Sequence, residues 1–429
     1  MKRLGALACV AVTLFAVLAL TVPLAAQEQP QKANKTHYTV QDLGTLGGTL
    51  SWAYGINEKG SISGVAFLSG DTAIHSFLWR KGRMTDLGTL GGSNSSPVYK
   101  PNERDEVVGL AETSTPDPFH DVLCTGLFFG LDSGLACAPF LWRNGVITSL
   151  PNTLGGPDSR ANSINNRGQV VGDAENSTPE SNCDFPFQMK PVIWEHGQIA
   201  ELPTLSGDTQ GFALGINDHG QAVGWTRSMD CTVQHAVLWE NGTVTDLGSL
   251  GGKYSDAFSI NNQGQAFGQS NLPGDLTFHA FLWQKHVGMT DLSTLPGDFS
   301  SIAWSIDNKG RVVGTSCDAS GNCRAFLWQH GTMTDLNTLI PDGSPWFLVE
   351  ADGINSRGEI VGAAFNATTG ELHAFLATPK GCGKGAESDS LAAQSDNRAR
   401  PTVVLPENVR KLLQQRKGSR FGVGLMRPR

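Results

Sequence analysis

Charge is scarce in this chain: only 17% of its 429 residues are Asp, Glu, Lys or Arg. No segment between residues 27 and 379 has the 3.6-residue apolar period of an amphipathic helix, which excludes helical bundles and βαβ architectures. No Cys-x-x-Cys pair and no Asp-x-Asp-x-Asp run occurs, so neither a thiolate zinc site nor a carboxylate calcium loop is encoded. The Leu-Gly-Gly segments at 46–48, 90–92, 154–156 and 250–252 lack the Lys-Ser/Thr and following helix of a phosphate loop. No cofactor is implied.

Long apolar runs are missing too, except at the start. Lys2 and Arg3 precede an apolar stretch from Leu4 to Leu24, then Ala25, Ala26 and the polar Gln27-Glu28-Gln29. Residues 1–26 therefore read as a secretory signal peptide, and no transmembrane segment is expected after its removal. Seven net positive charges lie in residues 380–429 and two in residues 1–26, so the overall −8 leaves −17 on residues 27–379. Such an acidic body argues against a nucleic-acid groove.

What the chain has in quantity is glycine, 51 residues, at regular spacing. Seven copies of one pattern start at Asn57, Asn102, Asn165, Asn217, Asn261, Asp307 and Asn355. Seven residues after each comes Gly64, Gly109, Gly172, Gly224, Gly268, Gly314 or Gly362. A Phe-Leu-Trp-type cluster follows, ending at Trp79, Trp142, Trp194, Trp239, Trp283 and Trp328, with Ala377 in copy seven. The step from Asn to this position is 22, 40, 29, 22, 22, 21 and 22 residues, so insertions are confined to copies two and three.

Within a copy, GINEKGSISGVA reads as strand, Asn-x-x-Gly turn and strand, and HSFLWRKGRMTDLG repeats that logic. Each copy is thus four short strands, matching one propeller blade. Copy seven stops after HAFLATP, whereas an orphan YTVQDLGTLGG at Tyr38–Gly48 precedes copy one. The expectation is an all-β, seven-bladed β-propeller over residues 37–379, closed by the N-terminal strand so that neither terminal edge stays open. Residues 380–429 read as a basic, mostly disordered tail, in which PENVRKLLQQRK (406–417) has the pattern of a short amphipathic helix suited to anionic envelope surfaces or to the acidic propeller itself.

The segments HAVLWENGTVTDLGSLGG and HAFLWQKHVGMTDLSTLPG resemble the HAF repeats of extracellular bacterial proteins, over roughly residues 38–379. That resemblance implies secretion and a propeller-like array, and no particular activity. Copy two departs from the pattern with Asp105 in place of the turn glycine, which puts its hairpin geometry in question.

Residues that recur from copy to copy serve the repeated scaffold. The Trp, the Phe two before it and the Leu of Thr-Asp-Leu-Gly are read as packing between neighbouring sheets. His75, His235, His279 and His373 share one repeat position and are read as structural, as are Asp42, Asp86, Asp246, Asp291 and Asp335, whose carboxylates suit hydrogen bonds into the next loop.

Length variation falls on one face: residues 112–138 of copy two, 175–190 of copy three and the lead-in to copy seven, 341–350. Ligands favour variable loops on a rigid scaffold. The candidate binding residues are Phe119, His120, Asp121, Phe128 and Phe129 in copy two, with Trp346 and Phe347 standing outside the repeat register. The copy-two insertion suits either an apolar binding patch or a disulfide-pinned plug. In an exported chain its seven remaining cysteines favour bridges, with Cys124–Cys137, Cys183–Cys231 and Cys317–Cys323 the pairs suggested by position, and Cys382 left over.

The leading expectation is a secreted, non-catalytic binding module for an extracellular polysaccharide or protein ligand. The alternative is a secreted propeller enzyme, a polysaccharide hydrolase or lyase using Asp117, His120, Asp121 or Glu350.

Overall fold

The computed structural model describes residues 37–117, 128–131, 133–152, 154–180, 186–380 and 403–419. Within them the chain is all-β but for a 3₁₀ turn, Leu336–Thr338, and one helix, α1 (Glu407–Ser419). The strands run from β1 (Tyr38–Asp42) to β28 (Leu372–Pro379). They form four-stranded antiparallel meanders, as in a β-propeller. One such sheet is β10 (Gly155–Ile164), β11 (Val170–Pro179), β12 (Phe187–Glu195) and β13 (Gln198–Glu201), and four others repeat its order.

The sixth sheet holds eight strands and divides the same way. Leu50 and Leu372 form a single parallel bridge between β28 and β2 (Gly47–Ile56), on the same edge of β28 along which β1 pairs further on. Asp42 of β1 lies opposite Phe375 just as Asp86 lies opposite Phe77 and Asp335 opposite Phe326. The orphan strand therefore fills the fourth-strand place of the last meander, in the register used elsewhere.

The repeated asparagine does two jobs that need both an acceptor and a donor on one side chain. Asn217 Oδ1 accepts from the amides of His219 and Gln221, both at 3.0 Å, which fixes the hairpin turn. Its Nδ2 donates to the carbonyl of Asn261, the same position of the next copy, at 3.0 Å. Equivalent bonds run from Asn57 to Asn102, Asn102 to Asn165, Asn165 to Asn217, and Asn261 to Asp307. Asp307 has no donor to pass on. Arg311, bonded to Asp307 through Nε at 2.7 Å, supplies one by reaching the carbonyl of Asn355 at 3.3 Å. Asn355 Nδ2 then donates to Asn57 O at 3.3 Å, so the series returns to its start.

Glycine seven residues later is required by close approach. A Cβ on Gly224 would lie 1.9 Å from the Phe212 carbonyl oxygen, and one on Gly268 1.8 Å from that of Asp256. In copy two Asp105 simply adopts the left-handed turn conformation, φ +62°, and keeps the hairpin bond to Asn102 O at 3.0 Å. The hairpin geometry that Asp105 put in question is kept. The recurrent tryptophans but Trp328, which packs against the main core, are buried or partly buried in small apolar clusters that join neighbouring copies, for example Trp79 with Val361 and Leu376.

The helical pattern of PENVRKLLQQRK coincides with α1. Residues 403–419 form an extended lead-in and α1, whose Leu405, Val409 and Leu413 are buried in the main core with Trp52, Trp304 and Phe128. An i, i+4 apolar row gives this basic segment a face to bury.

Candidate ligand pocket

The first strand of each meander carries two side chains per copy to the place where the sheets converge, because strand residues alternate in direction. They stand five and three residues before the repeated Asn. In copies one to seven they include Trp52 and Tyr54, Tyr99, Arg160 and Asn162, Phe212 and Leu214, Asp256 and Phe258, Ile302 and Trp304, and Glu350 and Asp352. Their convergence is direct: Tyr99 of copy two donates its hydroxyl to the Phe258 carbonyl of copy five at 2.7 Å, and Phe258 stacks on Trp304 of copy six at 5.4 Å. These columns mix aromatics, acids and an arginine, whereas the column between them is Ala in every copy but copy two, which has Val98. Lining up the seven copies by column would have revealed them.

Fully buried charges in these columns are paired. Arg160 meets Asp173 at 3.0 Å above the Phe212 ring, and Asn162 adds a 2.6 Å bond to the same carboxylate. Asp256 accepts from Gln234 and Gln269; burial pushes its carboxyl up to about 6 against the pull of these donors.

On the insertion-bearing side, α1 closes over the convergence. Leu405 N donates to Asn322 Oδ1 at 3.0 Å and Arg410 Nη1 to Ser320 O at 3.3 Å, both in the copy-six hairpin loop pinned by the Cys317–Cys323 disulfide. Arg416, 3% exposed, enters the pocket. Its guanidinium lies 4.2 Å from the Trp52 ring centre, 4.7 Å from Tyr54 and 5.6 Å from Trp304. It pairs with Asp352 at 2.5 Å and with Glu350. Trp52 Nε1 donates to the other Asp352 oxygen at 3.0 Å.

On the side of the Asn turns lies a cavity of about 120 Å³, rimmed by Glu58, Glu103 and Asp218. These carboxylates are engaged by backbone. Glu103 accepts from Glu58 N, Asp218 from Asn166 N and Glu58 from Ser356 N, a second interlocking of successive copies.

Of the residues singled out in the sequence, Phe128 is fully buried in the core, and Phe129 packs against Trp52 and Phe67 with centroids 6.0 and 6.4 Å apart. Phe119, His120 and Asp121 lie outside the described residues, as do Cys124, Cys183 and Cys382. Cys137 and Cys231 each take part in a disulfide. Trp346 and Phe347 are both half-buried and diverge, Trp346 toward His373 at 5.7 Å and Phe347 toward the main core, since consecutive strand residues face opposite ways. Asp117 is buried, its amide bonded to Gly134 O, and Glu350 is neutralised by Arg416.

The repeated histidines hold the third strand to the fourth. His75 bonds Asp86 at 2.8 Å, His279 bonds Asp291 at 3.0 Å and His373 bonds Asp42 at 2.9 Å, whereas His235 turns to Asp208. Burial opposes ionisation of Asp42, Asp86 and Asp291, but the histidine and the amide two residues on outweigh it and hold each carboxyl below the usual range. Among the described residues no group of three or more His, Cys, Asp or Glu is arranged to hold a metal, and no helix is long and apolar enough to cross a membrane.

No family model and no curated protein matches this chain. Among solved structures it is similar to the β-propeller domain of the Trilobed protease from Pyrococcus furiosus, at 11% identity over 64% of this chain and 77% of that one, TM-score 0.43. It is similar also to TolB from Acinetobacter baumannii (10%, 72% and 76%, TM-score 0.38) and to the Aleuria aurantia lectin (8%, 79% and 97%, TM-score 0.36).

The pocket so built can hold a planar cation between aromatic faces with two carboxylates at its edge.

Proposed function

We propose that this chain is an exported, non-catalytic binding module of the HAF-repeat type: a seven-bladed ring closed by β1, with its ligand surface on the insertion-bearing face. The observation that carries the reading is that non-repeated side chains of copies one, six and seven, Trp52, Tyr54, Trp304, Glu350 and Asp352, meet in one pocket under that face. A scaffold needs only the repeated residues; aromatics and acids that differ from copy to copy are what a specific site needs. Support for closure comes from the Asn-to-Asn bonds that return to Asn57 and from β1 taking the fourth-strand register. Support for export comes from the residue 1–26 pattern and from the disulfide chemistry.

Incubating the full mature chain with insoluble extracellular polysaccharides and with immobilised envelope proteins tests this. Retention on one of them without release of reducing ends is the expected result. Appearance of reducing ends would instead favour the hydrolase or lyase alternative.

A further inference from the structure

The pocket that Arg416 enters is built for one kind of cation. Trp52 and Tyr54 come from copy one, Trp304 from copy six, and Glu350 and Asp352 from copy seven, where they are two apart on one strand and so point the same way. All five are at most 2% exposed. Two buried carboxylates side by side are unfavourable unless a cation joins them. Stacking against indole and phenol faces while forking to two acids suits the flat, weakly hydrated guanidinium; a lysine ammonium meets the acids but forfeits the stacking.

The group that fills this pocket belongs to a segment outside the repeated sheets. Besides Arg416, α1 and its lead-in bury Leu405, Val409 and Leu413, pack Val403 and Leu412 against the same core, and bond the copy-six loop through Leu405 N and Arg410. A 13-residue helix is marginal by itself, so its order depends on docking. Its covalent link to the last strand is residues 381–402, a tether that turns docking into an intramolecular binding event at high effective concentration.

We propose that the pocket is a binding site for arginine side chains on peptide segments, that the chain's own tail occupies it in cis through Arg416, and that an arginine-bearing segment of another protein takes the same place when the tail leaves. This rests on reading the insertion-bearing face as the ligand surface. It adds the ligand's chemistry and a built-in competitor.

The test uses the full chain with a protease site placed within residues 381–402, cut after folding. The probe is a fluorescent synthetic peptide spanning Val403–Ser419. Expected are release of the tail fragment on dilution, saturable rebinding of the probe to the cut protein but not to the uncut one, and quenching of tryptophan emission on binding. Peptides carrying Arg416→Lys or Arg416→Ala should bind at least about tenfold more weakly, the scale of one lost charge-assisted contact. N-acetyl-arginine amide should compete where N-acetyl-lysine amide does not. A tail that never exchanges, or rebinding indifferent to Arg416→Ala, overturns the proposal. Running the polysaccharide and envelope-protein retention assay on the same cut sample separates the two failures. Retention there without Arg416-dependent peptide binding sinks the arginine site and spares the module, whereas loss of both sinks both.

Discussion

Trp52 and Arg416, from opposite ends of the described chain, share one acid: the Trp52 indole N–H donates to one oxygen of Asp352 at 3.0 Å, and Arg416 takes the other at 2.5 Å while lying 4.2 Å over the same indole. The contact closes a triangle of donor, acid and cation in which removal of any corner leaves a buried polar group without its partner.

Arg416→Ala should therefore undock the tail rather than unfold the sheets, because water can reach Glu350 and Asp352 once α1 leaves. Tryptic cleavage after Arg410 and Lys411 reports the open fraction when opening is fast. We expect it to accelerate at least about tenfold in the variant, a loss of one charged contact. An unchanged cleavage rate would mean that Leu405, Val409 and Leu413 hold the segment alone.

At Asp307 the ring of side-chain bonds is carried by Arg311, whereas Asn165, Asn217 and Asn261 each bond a Gln four residues on. Arg311→Gln alone leaves Asp307, fully buried, without its cation and should cost about 3 kcal/mol in urea unfolding. The double change Asp307→Asn with Arg311→Gln recreates the pattern of the other copies. It should recover most of that loss, giving a coupling energy of about 1–3 kcal/mol in a double-mutant cycle.

Gly224→Ala forces a methyl to within 1.9 Å of a backbone oxygen that has no freedom to retreat. The expected cost is about 1–3 kcal/mol. Gly242→Ala, in an open turn with φ +75°, strains the backbone but meets no atom within 4 Å, and should cost less. Thermal unfolding of the two variants side by side decides it.

The pair of His373 with Asp42 gives stability a pH window. The hydrogen bond to Asp42 and its charge raise the His373 value despite burial, so this contribution is complete below the unfolded value of about 6.5 and is lost as pH rises through the folded one. Asp42 is lowered, so its contribution is present above the unfolded value, about 3.8, and is lost as pH falls through the folded one. The stability difference between the parent chain and His373→Gln should be greatest between about pH 4 and 6.5 and shrink on both sides. Because β1 and β28 meet at this pair, a flat difference would show that the strand junction does not depend on it.

How far the sequence reaches is visible in particular residues. The seven-residue step from Asn to Gly was legible because both ends answer to local backbone demands, a capped turn and a carbonyl too close for a Cβ, repeated in every copy. The fourth-strand register of Tyr38–Asp42 was legible for the same reason: its Asp caps the following turn as its counterparts do, Asp42 accepting from Gly44 N at 2.8 Å and Asp86 from Gly88 N at 2.8 Å. The assembly of the site was not legible. Phe128, buried, and Phe129, half-buried beside Trp52, belong to an insertion whose sequence suits a binding patch and a plug equally. Column variation marks Trp52, Trp304, Glu350 and Asp352, but they become a pocket only because strands from copies one, six and seven bring them together. Nor did the sequence reveal what Arg416 would meet, for a basic helix by itself fits any acidic surface. Local periodicity sets strands, turns and seams through contacts between near neighbours in the chain. The pocket's identity depends on contacts between residues far apart in sequence, and only the tertiary structure decides which of those form.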